Sequence, residues 1–252
     1  MLGARTDIRR TLATKPGSTR RSISLYHFVY VAELWRYPVK SLRGERVEHA
    51  ELLDDGIAGD RLAHVREAGG RVVTSRYRPG LLALAGSLGD DGEPRVDGLP
   101  WDDPRVLAAV RAASSSDVEI VRFTPPDRGQ RHDVLPLTGL TDGMARAVGV
   151  DHRRFRPNLL IAGVEGLAER DWPGGALRIG TALIGVRKRR SRCVMTTFDP
   201  DTQEQDPSVL RRIVRDFDGE VALDCWVVEP GSIAVGDTVE LVPLPQRVPA
   251  DW

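Results

Sequence analysis

One of the chain's two cysteines sits where a thiol could do chemistry. Cys193 closes the run Arg187-Lys188-Arg189-Arg190-Ser191-Arg192-Cys193, in which five cations precede one thiol within six residues. Neighbouring cations favour the thiolate, the form that ligates metals and attacks electrophiles. Paired hydroxyls follow at Thr196 and Thr197, then the turn signal Asp199-Pro200. The run therefore reads as a strand that ends near Cys193 in a polar cleft. The competing reading makes the basic run a solvated strand edge and Cys193 a small buried residue, as free cysteines usually are. Cys225 is different. In Val221-Ala222-Leu223-Asp224-Cys225-Trp226-Val227-Val228, alternation puts it on one face with Val221, Leu223 and Val227, the place of a core cysteine.

A second group of residues could bind an anion. Tyr37-Pro38-Val39-Lys40-Ser41 offers an ammonium and a hydroxyl just beyond a proline-ended strand. Gly59-Asp60-Arg61 and Thr74-Ser75-Arg76 each place a cation at a strand end. Arg156-Pro157-Asn158 reads as an arginine held extended before proline, leading into a buried strand. Each motif alone reads more readily as surface charge. Together Lys40, Arg61, Arg76 and Arg156 suffice for one anionic ligand if the fold gathers them. Lys40 also admits a Schiff base with pyridoxal phosphate, a less favoured cofactor reading.

The elements that must position these residues are mostly short strands. An apolar, aromatic run at 26–37 predicts a strand that Pro38 ends. Further strands are expected at 61–65, 71–75, 81–86 and 118–123, separated by glycine and proline turns. A helix is expected after Asp103-Pro104, with Val106, Leu107 and Val110 on one face. Thr141 can cap a short helix, residues 158–162 form a buried strand, and 176–179 pairs with 182–186 as a hairpin. The helix after Asp206-Pro207 should bury Leu210, Ile213, Val214 and Phe217. Strands at 221–228 and 235–242, the latter with a Gly236-Asp237 turn, close the chain. The expected class is mixed and β-rich (α+β): a β-barrel-like half at 26–120 packed on a second β-barrel at 121–243, with few short helices. Residues 1–25 read as a disordered basic tail, with an Arg- and Ser-rich transit peptide as the alternative, and 244–252 as a short tail.

Composition narrows the function. Lys+Arg and Asp+Glu both number 36, which argues against nucleic-acid binding but not against a local basic pocket. No apolar run reaches the roughly 18 residues of a membrane span. Two cysteines make no disulfide framework, so a reducing cytoplasm is expected. The five histidines lack zinc-ligand spacing, and no P-loop, dinucleotide fingerprint or Gly-x-Ser-x-Gly elbow occurs.

The motifs in their order resemble the MOSC-domain family with its N-terminal β-barrel domain, in particular the branch of the amidoxime-reducing components and their bacterial relatives. The resemblance runs over about 28–243. It rests on Tyr37-Pro38-Val39-Lys40-Ser41, Asp60-Arg61, Thr74 with Arg76, Arg154-Phe155-Arg156-Pro157-Asn158, Ser191-Arg192-Cys193 with Thr196-Thr197 and Asp199-Pro200-Asp201-Thr202, and Val235-Gly236-Asp237. It implies a molybdenum cofactor, with the Cys193 thiolate as metal ligand and catalytic centre. It implies that Lys40, Ser41, Arg61, Arg76, Arg156, Asn158 and Arg192 hold the pterin and its phosphate, with Thr138 and Thr141 carried over more loosely. The implied activity is oxo-transfer reduction of small N-oxygenated (N-hydroxylated) substrates. The implied electron donor is a separate ferredoxin-, flavodoxin- or cytochrome b5-type protein. A sulfur or cofactor carrier using Cys193 is the alternative. One departure stands out: the position after Asp-Pro-Asp-Thr, often glycine in the family, is Gln203.

Overall fold

The computed structural model describes residues 28–123 and 131–245. The expected tail at 1–25, most of that at 244–252 and most of the polar loop at 125–133 lie outside these residues. The first half contains β1 (Tyr30–Arg36), β2 (Glu45–Val47), β3 (His49–Leu53), β4 (Gly56–Ile57), β5 (Ala63–Glu67), β6 (Val72–Val73), β7 (Gly86–Leu88), β8 (Pro94–Val96), β9 (Leu99–Pro100), α1 (Pro104–Ser114) and β10 (Val118–Arg122). The second contains β11 (Leu137–Thr141), α2 (Asp142–Val148), β12 (Leu159–Ala162), β13 (Gly175–Ile179), β14 (Ala182–Ser191), α3 (Pro207–Phe217), β15 (Glu220–Glu229), β16 (Gly231–Ala234) and β17 (Val239–Pro243). The mixed, β-rich class is what the structure shows.

Eight strands form one sheet in the order β17-β13-β14-β15-β11-β12-β1-β2. Only β11 and β12 run parallel, and they are joined by α2 and a 3-10 turn. The sheet curls until β1 meets the approach to β17: Tyr30 bridges Thr238, and the Val239 N–H donates to the Val29 carbonyl at 2.8 Å. Inside the curl lies an apolar core drawn from both ends of the chain, including Val31, Leu34, Leu52, Leu159, Ile184, Leu223 and Cys225. A second core, with Val39, Leu42, Val65, Leu81, Val106 and Val110, fills the smaller sheets of the first half against α1. β1 is thus shared: its body belongs to the large sheet, and its end delivers residues 37–42 to the smaller core.

The helix starts follow local chemistry. Asp103, Thr141 and Asp206 cap α1, α2 and α3, their side chains accepting from the N–H groups of Arg105, Met144 and Ser208. Three expectations need correction. Residues 79–83 form a 3-10 turn rather than a strand: Pro79 suits its first position, and Gly80 lies too close to the Ala113 carbonyl for a side chain. α3 buries Val209, Ile213 and Phe217, while Val214 is exposed, because the true face steps by four residues from Val209. The closing strand begins at Val239 rather than at Val235, after the expected turn around Gly236.

Candidate cofactor pocket

Where β1, β6, β11 and β14 end near one another, they enclose a cavity of about 320 Å³. Lys40, Ser41, Arg61, Arg76, Thr138, Arg156, Arg192 and Cys193 all line it. The fold therefore gathers eight of the ten residues singled out from sequence. The other two stand behind the wall. Thr141 is fully buried and its hydroxyl caps α2. Asn158 is fully buried as well: its Oδ1 accepts from the Thr138 N–H at 3.1 Å, and its Nδ2 donates to the Trp35 carbonyl at 3.2 Å.

The walls are strongly basic. Lys40, Arg61, Arg76, Arg154, Arg156, Arg190 and Arg192 face the cavity against a single acid, Asp133. Most are held by specific partners. Lys40 Nζ pairs with Asp133 at 3.0 Å, and burial lowers its pKa. Arg61 pairs with the buried Asp60, which also accepts from the Tyr37 N–H at 2.6 Å. Arg190 pairs with the buried Asp224 below the cavity floor. Arg154 donates to the Thr197 carbonyl and to Asp199, each at 2.9 Å, tying its own segment to the turn that follows Cys193.

Three of the seven, Arg76, Arg156 and Arg192, have no carboxylate ion pair among the described residues. Arg156 stacks on the buried Tyr37, its guanidinium carbon 4.2 Å from the ring centroid, and burial lowers its pKa. Arg192 donates to the Phe155 carbonyl at 2.7 Å, while its Nε is buried without a partner. Burial, with Arg190 close by, pushes Arg192 down to about 9. Between Arg61 and Arg156, Tyr37 donates its hydroxyl proton to the Pro157 carbonyl at 3.0 Å, and burial pushes its pKa up to about 12. It is a fixed spacer rather than an acid.

Cys193 lies just past β14, half-buried, at the start of a 3-10 turn over Val194–Thr197. Its carbonyl accepts from both the N–H and the hydroxyl of Thr196, at 3.1 and 3.0 Å. Arg76 stands beside it: the electrostatic influence of Cys193, opposed by burial, is the main one raising the pKa of Arg76. Cys225 is buried in the sheet core, where desolvation pushes its thiol up to about 12.

The arrangement suits a soft metal centre carrying an anionic organic group. Thiolate favours a metal already bound to sulfur. Guanidinium groups hold phosphate by charge-assisted hydrogen bonds. The orphaned Nε of Arg192 and the Arg156 guanidinium, which no carboxylate pairs, are donors that an anionic ligand would satisfy, so the residues present fit a phosphate-bearing pterin.

The profile of the MOSC N-terminal beta barrel domain matches residues 28–128, and that of the MOSC domain matches 137–240. The chain belongs to the MOSC-domain family. It is 29% identical to mitochondrial amidoxime-reducing component 1 of Homo sapiens, over 89% of this chain and 86% of that protein. It is 26% identical to the human mitochondrial amidoxime reducing component 2, over 76% of this chain and 73% of the relative. Among solved structures, the YUAD protein from Bacillus subtilis aligns with a TM-score of 0.47 at 14% identity, covering 86% of this chain and 97% of that one. No helix among the described residues is long and apolar enough to cross a membrane.

Several wall residues of this MOSC chain escaped sequence reading. Arg190 was one cation among five, and Arg154 stood next to a motif that pointed to Arg156. His132 and Asp133 sit in a segment without pattern. Burial, with Arg61 and Arg131 nearby, pushes His132 down to about 3, so its ring is neutral. One geometric expectation was also off. Arg156 is not extended: it ends a 3-10 turn at φ +51°, and that left-handed turn aims its side chain back over Tyr37.

Proposed function

We propose that this MOSC protein is a molybdenum-cofactor-dependent reductase of small N-oxygenated compounds, with the Cys193 thiolate as metal ligand. One observation carries the reading: seven cations and one acid wall a cavity beside a free cysteine, in a chain whose charges balance overall. The names of the amidoxime-reducing relatives supply the substrate class. When bound, the cofactor would supply two-electron oxo-transfer chemistry. The protein's share is to bind and orient. Lys40, Arg61, Arg76, Arg156 and Arg192 would hold the anionic end, and the hydroxyls of Ser41 and Thr138 would complete its hydrogen bonds. Asn158 and Thr141 would fix the wall from behind.

For an amidoxime, the N–O bond breaks, the oxygen leaves as water and the nitrogen gains a proton, at the expense of two electrons and two protons. The electrons come from a separate donor protein in this reading. Both cysteines are free, which suits a reducing compartment such as the cytoplasm.

The test is molybdenum and pterin analysis of protein made in a cofactor-competent host, with turnover of an amidoxime under a chemical reductant. Wild type should hold close to one molybdenum per chain, and Cys193→Ala should lose the metal and the turnover. Wild type devoid of molybdenum and pterin overturns the reading. Cofactor retention without turnover of any N-oxygenated compound points to a cofactor or sulfur carrier. An imine absorbance with pyridoxal phosphate, lost in Lys40→Ala, points to that cofactor instead.

A further inference from the structure

Beside the cofactor cavity lies a second recess of about 270 Å³. The two share Arg154, Arg156 and Met195, so the recess opens toward the turn that carries Cys193. Its character is different. Trp35, Tyr37, Leu82, Met195 and Phe198 give it flat apolar walls. A cavity of about 150 Å³ lined by apolar groups already accepts benzene, so this one has room for a substituted ring.

Four guanidinium groups border the recess, and two are committed to carboxylates. Arg153 is clasped by Asp151 and Asp201, each at 2.6 Å. Arg154 is held by Asp199 and the Thr197 carbonyl. Arg156 lies over Tyr37 on the side shared with the cofactor cavity. Arg43 has neither an ion pair nor a side-chain hydrogen bond to any described residue, although it is half-buried. Its backbone is fixed instead: its N–H donates to Leu84 at 3.0 Å and its carbonyl accepts from Gly86 at 2.7 Å. A partly desolvated cation beside an apolar slot wants an anion, and the slot wants a ring.

We propose that this recess is the substrate's, and that it selects flat aromatic N-oxygenated compounds bearing a carboxylate, which Arg43 binds. The inference rests on the reductase reading and names the substrate class of that site. In this arrangement the ring lies between Trp35, Leu82 and Phe198. The carboxylate reaches Arg43, and the N–O group points past Met195 toward Cys193.

The test compares benzamidoxime with its 4-carboxy derivative on the molybdenum-loaded enzyme, by kcat/KM and by calorimetric binding to the oxidised protein. A charge-assisted hydrogen bond should favour the carboxylated compound by about tenfold in wild type. Arg43→Gln should abolish that preference, Arg43→Lys should restore most of it, and Arg43→Glu should reverse it. Thermal melting establishes that each variant is folded. Equal handling of both compounds by wild type overturns the proposal, as does a preference that survives Arg43→Gln. Loss of pterin from folded Arg43→Gln also overturns it, because the recess would then hold part of the cofactor. If wild type reduces neither compound yet binds the carboxylated one through Arg43, the reductase reading falls and the recess stands.

Discussion

Asn158 separates a residue that touches the cofactor from one that builds its container. Its side chain spans the gap between β1 and β11, accepting from the Thr138 N–H at 3.1 Å and donating to the Trp35 carbonyl at 3.2 Å. Its backbone repeats the same link, donating to the Thr138 carbonyl and accepting from the Trp35 N–H, both at 2.8 Å. Asn158→Leu keeps the volume and removes both side-chain bonds, leaving one donor and one acceptor in a site with no solvent access. Each such orphan costs about 1–3 kcal/mol, so the pair should cost about 3 kcal/mol. For a chain of this size that is a fall in Tm of about 6–12 °C. Urea unfolding followed by far-UV circular dichroism reads the same loss as a lower midpoint. Asn158→Asp adds a sign. Its carboxylate can accept from Thr138 but cannot donate to Trp35 unless protonated, so this variant should gain stability as pH falls toward its raised pKa. An Asn158→Leu protein that keeps its midpoint and loses its molybdenum would refute the reasoning and put the amide against the cofactor.

The two thiols should react very differently: folded, cofactor-free protein should give one fast-reacting thiol at half-exposed Cys193, and Cys225 should react only after denaturation, as aromatic-disulfide titration would show. His132 should make stability pH-dependent. Its proton is bound near pH 6.5 in the unfolded chain but only near 3 in the fold, because of burial and the adjacent Arg61 and Arg131, so the unfolded state holds the extra proton between these values. Stability should fall as pH drops from about 6.5 toward 3 and be flat above, with a shallower fall in His132→Gln; identical slopes would remove His132 from the account. Gln203 sits at φ +60°, and its side chain donates to the Asp201 carbonyl at 2.9 Å. Gln203→Ala keeps the backbone strain and loses that bond, so it should melt below Gln203→Gly by about 1 kcal/mol, whereas the reverse order would show no strain there.

How much of this could be read from residues alone depends on whether the cause was local. Helix caps are local, so Asp103, Thr141 and Asp206 were legible, as were the hairpin of β13 and β14 and the burial of Cys225. The sharing of β1 between two cores was not, because it depends on pairing with β12, more than a hundred residues away. Nor was the direction of the basic run. β14 shifts register against β15 between Val186 and Lys188, and again between Arg189 and Ser191. Simple alternation cannot say which of its cations turns inward. Arg189 finds Glu220 on the outside, and Arg190 finds buried Asp224 under the cavity.

The deepest reason is backbone geometry that no motif announces. Ser41, Arg61 and Arg156 all line the cavity at positive φ, +74°, +49° and +51°. Left-handed backbone costs a residue with a Cβ about 1–2 kcal/mol, and glycine would remove the cost at each position along with the group that faces the cavity. Local bonds hold the bends: the Arg61 N–H donates to Tyr37 at 2.8 Å, and the Arg156 N–H donates to Arg153 at 3.0 Å. Both bends carry their guanidinium groups over the Tyr37 ring, with centroid distances of 5.3 and 4.2 Å. Strain persists in a fold where the surroundings over-determine it and the displaced group is needed. Arg61 is tied to the fold by its pair with buried Asp60, but no carboxylate among the described residues pairs with Arg156, and a neutral glutamine would suit its turn no worse, so that cation answers to the ligand rather than to the fold.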